Sequence, residues 1–168
     1  VSNIDFCDKS LYIFRIFNAV MLVTSSVLLL MIGRLVWQNK YIVFIPFVWM
    51  TSPFTLWFLN QSYSEMPFFT SFFGSLLLAI ISFRSNGQRQ YLCAFAVGIV
   101  SALSMMIKPI AVGIPIVYFI TLLLTNSRMS WISLGKYLAA LGLGVLLVVM
   151  PWTSTVYKKT GEIILLTN

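Results

Sequence analysis

Ser64-Glu65-Met66-Pro67-Phe68-Phe69-Thr70-Ser71-Phe72-Phe73-Gly74-Ser75-Leu76-Leu77-Leu78-Ala79-Ile80-Ile81-Ser82-Phe83-Arg84 places one acid and one base at the two ends of an apolar run. The uncharged stretch 66–83 is near the ~20 residues a helix needs to cross a hydrocarbon core of ~30 Å. Pro67 stands where a first helical turn tolerates proline. The Asn86-Gly87 step after Arg84 marks a tight turn. Glu65 is the only acid between Asp8 and Glu162. Burying a carboxylate costs several kcal/mol unless it is paired or hydrated, so an acid at the head of a membrane helix is a candidate functional position.

The rest of the chain agrees with that reading. Hydrophobic residues make up 60% of it and charged residues 9%, with a mean hydropathy of +0.94, far outside ordinary soluble domains. Cutting at the polar clusters leaves about six apolar stretches, 11–32, 41–59, 66–83, 91–107, 110–125 and 137–150. Each is predicted to be a helix, because a helix satisfies its own backbone groups in lipid. The expected fold is an all-α polytopic transmembrane bundle of about six spans, one domain over 1–168, with short turns. Pro46 and Pro53 predict a bend in the second span, and Pro151-Trp152 is expected to close the sixth. Gly98, Gly113, Gly142 and Gly144 are expected to let helices approach closely.

The remaining composition excludes several classes. Cys7, in an expected loop, and Cys93, in an expected helix, have no CxxC spacing, and the chain has no His; a disulfide framework or zinc site is not indicated. The net charge of +7 is scattered between apolar spans rather than massed on one stripe, so nucleic acid is not an expected partner. The start of the chain, with Asp5, Asp8 and Lys9, does not have the pattern of a secretory signal.

Alternate threading of six spans puts Arg34, Lys40, Arg84, Arg89, Arg128 and Lys136 on one side with no acid among them. The other side receives Lys9, Arg15, Lys108, Lys158 and Lys159 together with Asp5, Asp8, Glu65 and Glu162. The positive-inside rule makes the first side cytoplasmic and gives Glu65 to the outer or lumenal face. Three junctions then share that face: Tyr63 to Pro67, Ile107-Lys108-Pro109, and Pro151-Trp152 with the polar segment C-terminal to it. Lys108 is a compact point charge suited to a phosphate, and Glu65 an acceptor or weak base suited to a sugar hydroxyl.

In order, these motifs resemble the GT-C glycosyltransferases, in particular the members related to protein O-mannosyltransferases and aminoarabinose transferases. Ser64-Glu65-Met66-Pro67 matches a Ser-Glu-x-Pro or Thr-Asp-x-Pro step that begins an outer-facing helix end. Met106-Ile107-Lys108-Pro109 is similar to Leu-Thr-Lys-Gly-Pro or Leu-Thr-Arg-Pro. Pro151-Trp152, Tyr157 and Gly161-Glu162 form a close variant of Pro-Trp-x-x-x-x-Tyr-x-x-x-Gly. Phe14-Arg15-Ile16-Phe17-Asn18-Ala19 looks like the Arg-Leu-x-Asn-Ala of an early family helix.

The resemblance implies transfer of a sugar from a polyprenyl-phosphate-linked donor to a glycan, lipid or protein acceptor on the outer face. It also implies a multi-pass protein of the plasma (inner) membrane in contact with membrane lipids. Tyr63, Glu65, Lys108 and Arg15 become candidates for carrier or substrate binding. The family's main catalytic acid lies in a first outer loop that has no counterpart here, so the catalytic residue is expected upstream of Val1, and Asp5 and Asp8 are not assigned that role. No cofactor is required by these residues. Glu65 is able to ligate a divalent metal, although one carboxylate makes no metal site.

Plainer roles stand beside these. Glu65 at a helix N-terminus gains roughly 0.3 to 1 kcal/mol from the helix dipole as a simple cap. Lys108 fits a snorkelling lysine at a span end. Arg15, Trp152, Tyr157 and Lys158-Lys159 fit headgroup and interface contacts. A secondary transporter or lipid flippase subunit is the main alternative class, and a structural membrane subunit a third. Internal repeats and mid-span ionisable residues would mark a transporter; no repeat is found, and the charges sit at span ends.

Overall fold

Polar clusters separate the apolar runs in sequence. The computed structural model describes residues 2–37, 39–60, 64–85, 87–125 and 130–161. Among these the chain is all-helical, without strands. The elements are α1 (Ser2–Val36), α2 (Phe44–Thr51), α3 (Pro53–Asn60), α4 (Glu65–Arg84), α5 (Gln88–Ile107), α6 (Gly113–Thr125) and α7 (Trp131–Thr160), with 3-10 turns at Lys40–Val43 and Pro109–Val112.

Four helices are long and apolar enough to cross a membrane: α1 from Leu11, α4, α5 and α7. The pair Lys40–Thr51 and Pro53–Leu59, bent by 52°, raises the number to at most five. Pro109–Thr121 is apolar but shorter than a span, because the Lys108-Pro109 break diverts its first residues into the 3-10 turn. Length and composition therefore give four to five spans where about six are expected from the sequence. Only 17% of the most apolar window of α7 is buried, and Leu143, Leu147 and Met150 are exposed. Such a helix is compatible with an integral membrane protein and costly in water.

Two boundaries differ from expectation. The segment around Cys7, expected to be a loop, is helical from Ser2; acids near a helix N-terminus favour rather than oppose helix formation. Pro151, expected to close the last span, lies inside α7. A proline removes only one donor, and membrane helices absorb that loss. The helix stops instead at Gly161, where φ is +73° and the N–H donates to the Tyr157 carbonyl at 2.8 Å, a left-handed cap open to glycine. The predicted bend falls at Ser52, whose extended backbone (φ −58°, ψ 130°) is what a following proline imposes. Pro46 sits in the first turn of α2 and causes no break.

The chain forms two compact units, Val1–Phe73 and Gly74–Asn168. In the first, α1 carries buried Asn18, Ser25 and Ser26 within its long apolar stretch. Ser25 Oγ donates to the Leu22 carbonyl at 2.9 Å and accepts from Trp49 Nε1 at 3.0 Å. Thr70 Oγ1 bridges the Met21 and Met66 carbonyls at 3.0 and 2.9 Å. Trp49 stands edge-on to Phe69 and Phe73, with centroids 5.0 and 5.4 Å apart, the geometry that aromatic quadrupoles prefer. Trp49→Phe keeps most of that packing and removes the Ser25 hydrogen bond. It is expected to cost about 1 kcal/mol, read as a lower midpoint in detergent unfolding.

In the second unit, α5 and α7 form a parallel pair. Tyr91 meets Tyr137 (centroids 6.0 Å apart) and Gly98 meets Gly144, so both helices ascend together in one register. A Cβ on Gly98 would collide with the Leu141 carbonyl oxygen and lie 3.1 Å from the Gly144 Cα, and one on Gly144 would collide with the Phe95 carbonyl. Gly113 and Gly142, expected to act the same way, have nothing within 4 Å of such a Cβ. Because α5 and α7 are parallel, the stretch between them must return along the length of the pair. α6 carries Tyr118 back to the level of Tyr137.

Candidate functional site

The sequence candidates fall in both units. Glu65 and Arg15 belong to Val1–Phe73, and Lys108 to Gly74–Asn168. Tyr63 lies outside the described residues. Arg15 is exposed on α1, three residues before the buried Asn18, whose Nδ2 is 3.5 Å from the Phe58 carbonyl oxygen.

Glu65 is the first residue of α4 and is half-buried, with its Oε2 enclosed by protein. The Ser64 carbonyl receives the Phe68 N–H at 3.1 Å, which sets the first turn. Pro67 adds no unsatisfied donor there. A carboxylate so placed gains from the helix dipole.

Lys108 is an extended residue (φ −140°, ψ 118°) at the end of α5. Its N–H donates to the Ser104 carbonyl at 2.8 Å, and its carbonyl accepts from Ala111 at 3.0 Å. Both backbone groups are thereby satisfied where the helix breaks, and the half-buried side chain sits at the break. The α5–α7 register carries Lys108 to the level of Ser154, just beyond Pro151-Trp152. Two of the three junctions expected to share one face are thus at the same end of this unit. Ser154 and Thr155 hydroxyls both donate to the Pro151 carbonyl, at 2.9 and 2.8 Å, and Trp152 and Tyr157 are exposed. A lysine is a compact point charge suited to a phosphate, and exposed Trp and Tyr suit an interface.

The opposite end of the unit contains a cluster that sequence reasoning missed. Tyr118 O–H is 3.1 Å from Ser82 Oγ and 2.7 Å from the Tyr137 oxygen. The Ser82 and Tyr137 hydroxyls are hydrogen-bonded to each other, and Ser82 Oγ donates to the Gln90 carbonyl at 3.1 Å. Phe83 stacks on Tyr118, centroids 5.0 Å apart. Ser82 and Tyr137 are almost completely enclosed, and Tyr118 is buried. The cluster joins α4, α5, α6 and α7 and holds no acid or base, so its chemistry is that of positioning. Its only signal in the sequence was a serine and a tyrosine each within two residues of a cation, Arg84 and Lys136.

Near the bend of the α2–α3 pair, Pro53, Phe54 and Trp57 line an open apolar groove of about 340 Å³. Among the described residues no group of His, Cys, Asp and Glu is arranged to hold a metal ion. Comparison of the chain with protein-family profiles, curated proteins and solved structures gives no match.

Proposed function

We propose that the chain is part of a membrane glycosyltransferase of the GT-C type, moving a sugar from a polyprenyl-phosphate carrier to an acceptor on the outer or lumenal face. The observation that carries the reading is the parallel α5–α7 pair, which brings the Lys108-Pro109 break and the Pro151-Trp152 stretch to one end. Those are two of the motifs on which the resemblance rests. A donor that stays in the bilayer needs a site at a helix end, open to lipid, with a cation for the leaving phosphate and a carboxylate for the acceptor proton. In this proposal Lys108 takes the role of the cation, and Glu65 is the candidate carboxylate.

The geometry also favours six crossings. In this proposal α2 and α3, bent by 52°, are one broken span. At ~1.5 Å per α residue and ~2 Å per 3-10 residue, Pro109–Thr121 and the rest of α6 reach roughly 27 Å, and α6 returns between parallel neighbours. The groove at Pro53, Phe54 and Trp57 suits an apolar chain lying against the bend.

The test is a transfer assay on the full-length protein in membranes with labelled polyprenyl-phosphate sugars, wild type against Glu65→Gln at matched abundance. Transfer is expected to fall by about 10²-fold or more, the range for losing an acid–base group, while the labelled donor remains bound. Undiminished transfer in the variant would leave Glu65 as a helix cap. Absence of turnover of any carrier by the wild type, with substrate flux across vesicles, would move the assignment to a transporter, which the broken α2–α3 pair also suits.

A further inference from the structure

We infer that the end of the second unit formed by Arg84, Arg89 and Lys136 is a docking surface for the phosphates of anionic phospholipids, independent of any transfer reaction at the opposite end. The hydroxyl cluster fixes the geometry. Ser82 bonds Tyr137 and the Gln90 carbonyl, and Arg84 follows Ser82 by two residues, Arg89 precedes Gln90, and Lys136 precedes Tyr137. Three cations on three helices are therefore tied to one buried knot, and all three are exposed.

Their helix positions sharpen the point. Arg84 is in the last turn of α4, where the dipole welcomes a cation. Arg89 lies in the first turn of α5, which has no acid in it, whereas Lys136 is the sixth residue of α7, past its first turn. A cation at a helix N-terminus opposes the dipole. The N-cap of α5, Gly87, has no side chain to bond the first amides, so those N–H groups face the same end and favour an anion. In the second unit the one acid in the sequence, Glu162, follows the far end of α7, and at the end of a bundle of apolar helices the abundant anion is the lipid phosphate.

The test uses full-length protein in mild detergent, offered equal phosphatidylglycerol and phosphatidylcholine, with bound lipid counted by native mass spectrometry. Wild type is expected to retain phosphatidylglycerol preferentially. Each cation near an anionic surface contributes roughly a fivefold factor, so Arg84→Gln/Arg89→Gln/Lys136→Gln should lower the preference by at least about tenfold. Lys158→Gln/Lys159→Gln, at the other end, should lower it by a smaller factor per cation, and an equal loss per cation overturns the assignment to the Arg84 end. Should the triple variant not accumulate, Lys136→Gln alone is expected to lower the preference about fivefold. Equal preference in wild type and the Arg84/Arg89/Lys136 variants overturns the inference. So does displacement of the lipid by millimolar inorganic phosphate, which would make the surface a site for soluble anions.

Discussion

Gly98→Ala is expected to loosen the α5–α7 pair by at least about 1–3 kcal/mol, the usual cost of overpacking, although alanine is the better helix former by about 1 kcal/mol. The added methyl meets the Leu141 carbonyl and the Gly144 Cα, which are backbone atoms of the facing helix. No rotamer change relieves such a contact; the helices must separate. Gly144→Ala meets the Phe95 carbonyl and the Ile99 N–H at the same crossing and should cost a similar amount. Because both act at one point, the double variant should cost less than the sum, the first separation making room for the second. Gly142→Ala is the control, with nothing within 4 Å of its new Cβ, and is expected to be neutral or slightly stabilising. Unfolding midpoints in a detergent–SDS titration would rank the four proteins. Gly98→Ala as stable as Gly142→Ala would show that α5 and α7 do not cross there.

Tyr137→Ala is expected to be the most damaging single truncation in the second unit. Tyr137 is 1% exposed and meets Tyr91 and Tyr118 through its ring and Ser82 and Tyr118 through its hydroxyl. Removing a buried aromatic side chain costs about 3–5 kcal/mol. Tyr137→Phe separates the two contributions. It retains the ring and leaves Ser82 and Tyr118 hydroxyls one partner short, a loss of about 1–3 kcal/mol. Tyr118→Phe should be milder, since Ser82 keeps both Tyr137 and the Gln90 carbonyl. The order Tyr137→Ala, Tyr137→Phe, Tyr118→Phe in falling damage, measured by thermal unfolding in detergent, is the expected result. Equal damage from Tyr137→Ala and Tyr137→Phe would mean that the hydroxyl carries the whole effect.

The helices were legible because an apolar run bounded by charge, such as 66–83 between Glu65 and Arg84, satisfies its own backbone groups most simply as a helix. The bend at Pro53 was legible for the same kind of local reason, a proline restricting the residue before it. What could not be read was set by partners distant in the chain. Gly98 and Gly142 look alike in sequence, and only the register against the neighbouring helix makes one a crossing point and the other an open surface. Pro151 looked like a terminator, yet Gly161 is the residue with the left-handed backbone. Ser82, Tyr118 and Tyr137 carry no motif, since a hydroxyl finds its partner through tertiary contact rather than spacing. Of the candidate site, the helix break expected at Lys108 is present, while Tyr63 lies outside the described residues.

The parallel arrangement of α5 and α7 also sets an order of events during synthesis. Gly98 and Gly144 are separated by 46 residues, as are Tyr91 and Tyr137. A ribosome adding about 5–20 residues per second leaves α5 without its partner for roughly 2–9 seconds. Throughout that interval the glycine face of α5 stays uncovered, and α6 must already have turned back before the pair can close.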